Sequence, residues 1–324
     1  MKLKEISIKD IENVKIGNET DAANGTGCTV FLFEKGCPCG VDVRGGGPAS
    51  RETTLLLPTS AAQVIHAVVL GGGSAYGLDA SGGVMKFLEE KHIGFPVGNG
   101  VVPLVVQSDI FDLTCGSFNV RPDQKYGYNA CINAYKDNYQ DGNFGGGTGA
   151  TCGKFTGMDF CTKTGIGSYA VECGDLKVGA VVIVNALGNV YDHEGKCIAG
   201  LLNKNKNGFE DSEKLMYENA SKVTENKFTG NTTIAIILTN ALFDKSRLTK
   251  IASMAQNGMA RSIRPVHTSA DGDTVYAAST GNVKADQDAV GTLAADVLSR
   301  AIEKAVHTAQ SAYGFKSSKD IMAG

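Results

Sequence analysis

A chain of 324 residues, 42% hydrophobic and 20% charged, suits a soluble globular protein with a sizeable core, as one large domain or two smaller ones. A formal charge of −3 offers no basic footprint for nucleic acid or an anionic membrane surface. With no apolar run of about 18 residues to span a bilayer, and no apolar h-region in Met1-Lys2-Leu3-Lys4-Glu5-Ile6, a cytoplasmic protein is expected.

The elements follow in chain order. Ser60-Ala61-Ala62-Gln63 has capping-box spacing and predicts an apolar helix over Val64 to Leu70. A second helix is expected from near Ser74 to Glu90, with Leu78, Met85 and Leu88 on or near one face. Val178 to Val184 is a nearly continuous β-branched run, the pattern of a strand buried on both faces. The turn that follows, Asn185-Ala186-Leu187-Gly188, leaves a side-chain amide at the strand's end. Ile234 to Leu238 predicts another buried strand. Asp244 then caps a helix through Leu248, Ile251, Ala255 and Met259. A last long helix carries Val290, Leu293, Val297, Ile302 and Val306, with Gly291 as a mild propensity cost. Buried strands flanked by helices imply sheets packed as a sandwich and covered outside by helices.

The nine cysteines are an odd count in a large chain, which argues against a disulfide framework. Cys37-Pro38-Cys39 lacks a second pair at zinc-ribbon spacing, so no metal site is expected, and the segment reads as a surface loop. The five histidines show no paired spacing. Gly45-Gly46-Gly47, Gly71-Gly72-Gly73 and Gly145-Gly146-Gly147 complete neither a dinucleotide fingerprint nor a P-loop. They suit positive φ and close backbone approach, and would let main chain line a tight pocket.

One stretch carries chemistry. In Gly230-Asn231-Thr232-Thr233-Ile234 a hydroxyl residue stands where a polar segment becomes an apolar run. A cut before Thr232 would give it both a hydroxyl nucleophile and a free α-amine. That amine titrates at about 7.7–8.0 and can serve as the base. A threonine pair at the head of a strand is also ordinary β-propensity.

Several ordered blocks decide between these readings. They include Gly27-Cys28-Thr29-Val30, Gly46-Gly47-Pro48-Ala49-Ser50-Arg51-Glu52-Thr53, and Leu70-Gly71-Gly72-Gly73-Ser74-Ala75-Tyr76-Gly77-Leu78-Asp79-Ala80. Phe111-Asp112-Leu113, Gly145-Gly146-Gly147-Thr148-Gly149-Ala150, Val184-Asn185-Ala186 and Asn231-Thr232-Thr233 follow. Ala260-Arg261-Ser262-Ile263-Arg264-Pro265-Val266-His267-Thr268 and Asp271-Gly272-Asp273-Thr274 close the series. In these, over nearly its whole length, the chain resembles the L-aminopeptidase/D-esterase and β-aminopeptidase (DmpA-type) family of self-processing N-terminal nucleophile hydrolases.

The resemblance implies a four-layer αββα sandwich of the DmpA/ornithine-acetyltransferase type, one domain over residues 1–324. It implies cleavage between Asn231 and Thr232 into an α chain of 1–231 and a β chain of 232–324. Thr232 would be the nucleophile, with Thr233 as the competitor, and Asn185 the oxyanion donor or, alternatively, only an Asx turn. Asp271 and Asp273 match the region that positions the new amine, or form a plain polar turn. Tyr76, Gly146 and Gly147 would line the substrate pocket or serve packing. Asn240 stands where the family is expected to carry Asp. The implied activity is an aminopeptidase or amidase on short peptides, amino-acid amides or esters, including β- or D-amino-acid substrates. No metal or organic cofactor is expected, nor a nucleic-acid or membrane partner, and a homo-oligomer of αβ units is. The alternatives are an ornithine-acetyltransferase-like acyltransferase and a catalytically silent binding protein of the same fold.

Overall fold

In a computed structural model, which describes residues 3–221 and 230–323, eleven strands build the two largest sheets. In chain order they are β1 (Lys4–Ile6), β2 (Lys15–Asp21), β3 (Thr26–Cys37), β4 (Cys39–Val43), β5 (Ala49–Arg51) and β6 (Ile65–Gly71). Then come β7 (Val105–Asp109), β8 (Ile166–Cys173), β9 (Leu176–Asn185), β10 (Thr232–Ala241) and β11 (Thr274–Val283). One sheet has the order β1-β8-β9-β10-β11-β4, the other β2-β3-β6-β7-β5. The β10–β11 and β6–β7 pairs are parallel; the other pairs in these sheets are antiparallel. The α-helices among the described residues are α1 (Ala80–Glu90), α2 (Gln124–Ala134), α3 (Ser212–Glu218), α4 (Lys245–Ser262), α5 (Gln287–Thr308) and α6 (Ser318–Met322).

Side-chain alternation sets the layers. In β9, Val178, Ala180, Val182 and Val184 pack with α4 and α5, while Val181 and Ile183 enter the core between the sheets. In β10, Ala235 and Ile237 face the helices, and Ile234, Ile236 and Leu238 face the other sheet. In the second sheet Val30, Leu32, Ala67 and Val69 meet α1 and α2, while Phe31, Phe33, Val68 and Leu70 point inward. The order is helix, sheet, sheet, helix: the expected αββα sandwich. Each fully buried aliphatic side chain contributes roughly 1.5–3 kcal/mol, so these three clusters hold the layers together. No helix among the described residues is long and apolar enough to cross a membrane.

Most predicted elements stand. The Val178–Val184 and Ile234–Leu238 runs lie inside β9 and β10, and β9 ends at Asn185. Asp244 caps α4 by accepting the Arg247 N–H at 2.8 Å, and Asp286 caps α5 by accepting that of Ala289 at 2.9 Å. The Ser74–Glu90 helix opens as a 3-10 turn, Ser74–Asp79, before α1 begins.

Two expectations fail. Val64 to Leu70 is not helical: from Ile65 on it forms β6, buried on both faces, and a short continuous apolar run carries no period that separates strand from helix. Ser60 and Gln63 form no capping box; Ser60 Oγ donates to the Thr54 carbonyl and Gln63 to that of Ala61. Nor is Cys37-Pro38-Cys39 a surface loop. Cys37 pairs with Ile65 in one sheet and Cys39 with Ala278 in the other, so the chain crosses between sheets at Pro38. Both thiols are buried, which pushes Cys37 up to about 12.

Candidate active site

Strand register brings the main candidates together. Asn185, the last residue of β9, lies directly opposite Thr232, the first of β10. On the other side of the β10 strand, Asn231 bridges in parallel to Asp271. Alternation then separates the two threonines. Thr232 follows Ile234 and Ile236 toward the inter-sheet space, as does Asn185 with Val181 and Ile183. Thr233 lies on the helix-facing side, its hydroxyl buried and without a hydrogen-bond partner among the described residues.

The Asn231–Thr232 peptide sits inside a set of donors. The Thr232 hydroxyl donates to the Asn231 carbonyl oxygen. That same oxygen accepts the Gly272 N–H at 3.0 Å. One residue upstream, the Gly230 carbonyl accepts from Asn185 Nδ2 and Lys154 Nζ, each at 3.1 Å. Asn185 Nδ2 also donates to the Phe111 carbonyl at 3.1 Å, and its Oδ1 accepts from Lys154 Nζ at 2.5 Å and Thr151 N–H at 3.1 Å. The side-chain amide is therefore locked in one orientation. Lys154 is fully buried, and desolvation lowers its ammonium to about 8.

The two aspartates hold the opposite wall. Asp271 accepts from the Thr268 N–H at 2.9 Å and from the Thr268 hydroxyl. Burial, and secondarily the charge of Asp273, pushes Asp271 up to about 6. Asp273 accepts the Thr233 N–H at 2.7 Å on Oδ1, and His267 N–H and Nδ1 at 3.0 and 2.9 Å on Oδ2. The first triglycine packs against this loop. A Cβ on Gly45 would stand 2.3 Å from the Asp273 nitrogen, so only glycine lets the two backbones meet.

The remaining candidates meet other neighbours. Tyr76 is 60% exposed in the turn after β6, with the Arg121 guanidinium 4.1 Å above its ring. Gly146 and Gly147 are buried in a 3-10 turn; a Cβ on Gly146 would stand 2.5 Å from the Leu70 carbonyl oxygen, and one on Gly147 2.3 Å from the Ile166 nitrogen. Their immediate neighbours are core strands. Asn240 is at the far end of β10, where it bonds Lys177 and Asp175. Sequence reasoning missed Lys154, whose lone position after Cys152-Gly153 carries no motif, and His267, which has no paired histidine or other local pattern to mark it.

The model of peptidase family S58 matches residues 7–319. The chain belongs to that family. This S58 peptidase is thus a hydrolase of peptide or amide bonds. It is 37% identical to an uncharacterized aminopeptidase of Mycobacterium leprae, over 95% of this chain and 92% of the other. It is 30% identical to a 6-aminohexanoate-oligomer endohydrolase of Agromyces, over 91% of this chain and 84% of the other. Among solved structures, the L-aminopeptidase D-Ala-esterase/amidase of Ochrobactrum anthropi, described as a variant of the Ntn hydrolase fold, superposes with TM-score 0.70 at 19% identity. That match covers 94% of this chain and 86% of that one. A Burkholderia β-aminopeptidase gives 0.66 at 19%, over 98% and 92%. These two likenesses speak to the fold.

Proposed function

We propose that this peptidase cuts itself between Asn231 and Thr232 and then works as an N-terminal nucleophile amidase. The observation that carries the reading is the convergence of Lys154 Nζ and Asn185 Nδ2 on one carbonyl, that of Gly230, two residues before Thr232, with Asn185 itself opposite Thr232 in the strand register. In self-cleavage, Thr232 Oγ1 adds to the Asn231 carbonyl carbon, and the Gly272 N–H receives the charge developing on its oxygen. The C–N bond breaks, the nitrogen takes the hydroxyl proton, and water hydrolyses the resulting ester. The products are an Asn231 carboxylate and a free Thr232 amine.

Once Gly230 withdraws, Lys154 and Asn185 are left as paired donors for a substrate's carbonyl oxygen. Thr232 Oγ1 attacks the substrate carbonyl carbon and the Thr232 amine takes its proton. Collapse expels the substrate's amine with that proton, and water then releases the acyl group. Thr232 is favoured over Thr233 because it shares the inter-sheet face with Asn185. Asp273 orients the Thr233 peptide, and Asp271 sets the charge beside the new amine.

The substrates proposed are short peptides and amino-acid amides or esters. They include the β- or D-amino-acid substrates that the family resemblance implies, and the 6-aminohexanoate-oligomer endohydrolase relative supports such oligomers as well. The whole chain acts as one domain of two processed segments, assembled as a homo-oligomer of αβ units in the cytoplasm. Intact mass with N-terminal sequencing, beside a Thr232→Ala variant, tests the reading. Two chains, the shorter beginning Thr-Thr-Ile-Ala, with the variant left whole, are expected. A wild-type chain that stays at 33.9 kDa ends the proposal.

A further inference from the structure

His267 has no part in the chemistry above, yet the backbone is bent to place it. Its φ of 58° lies in the left-handed region, where a non-glycine residue is uncommon. Its own N–H and its Nδ1 converge on a single oxygen, Asp273 Oδ2, at 3.0 and 2.9 Å. The other oxygen of that fully buried carboxylate holds the Thr233 N–H at 2.7 Å. Nε2 is buried and meets no hydrogen-bond partner among the described residues.

A carboxylate can fix a peptide only as firmly as it is fixed itself. Asp273 has one oxygen for the nucleophile's strand and one for His267. We propose that His267 is a positioning residue. By donating from Nδ1 to Asp273 it sets the Thr233 peptide, and through it the direction in which Thr232 presents its hydroxyl and its new amine. The role rests on the reading of Thr232 as nucleophile. It belongs to Nδ1; proton transfer through Nε2 is a different mechanism and predicts a different substitution pattern.

Three variants separate the two. His267→Asn places an amide N–H where Nδ1 stands, and asparagine accepts left-handed φ readily. His267→Gln carries its amide out toward the Nε2 position. His267→Ala has neither. Each is followed by intact mass for self-cleavage, and by kcat and KM of the processed form on an amino-acid p-nitroanilide that the wild type hydrolyses. Circular dichroism and thermal melting confirm that each variant folds.

Losing a hydrogen bond to a charged group corresponds to about ten- to a hundredfold. His267→Ala is expected to lose that much in kcat and in cleavage rate, with KM changed less than threefold. His267→Asn is expected to recover to within a few-fold of wild type, and His267→Gln to stay with Ala. Rescue by Gln and not by Asn overturns the proposal, as does wild-type kcat in all three variants. A wild-type chain that never cuts itself, or a Thr232→Ala variant that remains active, removes the nucleophile reading and the positioning role with it. A normal wild type with indifferent His267 variants removes only the latter.

Discussion

Gly230 is the residue whose surroundings say most about a substrate. Its carbonyl occupies the meeting point of a buried ammonium and a buried amide, both 3.1 Å away. Such donors, aimed in advance at one oxygen, cost no reorganisation when charge develops there. Asn185→Ala is therefore expected to lower kcat by about 10²–10³ with a small change in KM, the usual range for one oxyanion donor. A loss confined to KM would assign Asn185 to ground-state binding. Lys154 adds a pH signature. Burial lowers its ammonium to about 8, so the charged donor disappears as pH rises through that value. On the proposed mechanism the Thr232 amine must be neutral to take a proton, and α-amines ordinarily titrate at about 7.7–8.0, so activity is expected to climb toward pH 8 from the acid side. The processed enzyme should show a narrow bell in kcat/KM centred near pH 8. Lys154→Gln, which donates without titrating, is expected to keep the acid limb, lose the alkaline one and reach a lower maximum. An unchanged alkaline limb in that variant assigns it to another group.

The elements differ in how openly the chain declares them. Strand β9 and helices α4 and α5 were legible because a long β-branched run, the Asp244 cap and apolar residues at helical spacing leave few alternatives. Strand β6 was not, since Ile65, Val68, Val69 and Leu70 are buried on both faces and no alternation marks them. The crossing at Pro38 was hidden too, because a sheet change is a tertiary event with no local pattern. At the candidate site, Thr232 was legible where a polar segment becomes an apolar run and Asn185 at the end of a strand, and the family resemblance gave each a role. Lys154 was not, as only the folded chain shows that its ammonium reaches Asn185. Glycines in helices show the same limit. Gly291 reads as a propensity cost, yet α4 and α5 lie so close that a Cβ there would stand 2.4 Å from Met254 Sδ. Methionine is flexible and can turn aside. A Cβ on Gly258 would instead stand 2.4 Å from the Ala295 carbonyl oxygen, which is backbone and cannot. Gly291→Ala should thus be neutral or stabilising by up to about 1 kcal/mol, the helix-propensity gain. Gly258→Ala should be destabilising, because overpacking costs about 1–3 kcal/mol against the same gain. Denaturant midpoints at unchanged slope check the pair; equal midpoints would mean that the helices move apart freely.

At the scale of the molecule, the proposed self-cleavage would cut the chain but leave the fold. The segment after Asn231 carries β10, β11, α4 and α5. Strand β10 pairs with β9 from Thr239 opposite Val178 to Thr232 opposite Asn185, and β11 pairs with β4, so this segment fills the sheet between strands of the other. One apolar cluster joins Val178, Val182 and Val184 of the longer segment to Ile237, Leu248, Val297 and Ile302 of the shorter. Parting the two would expose that surface and unpair both edges, against the loss of a single bond at the head of β10. The processed segments should co-elute in gel filtration and separate only in denaturant. Unfolding, however, gains a second product. For the cut protein it becomes an association equilibrium, so its melting temperature should rise with protein concentration more steeply than that of uncut Thr232→Ala. Any oligomer common to both contributes equally, so the difference in slope isolates the cut. Equal slopes in fully processed protein would mean that the segments stay joined after unfolding, and loss of the shorter one on a native column would mean that β10 does not hold the sheet together.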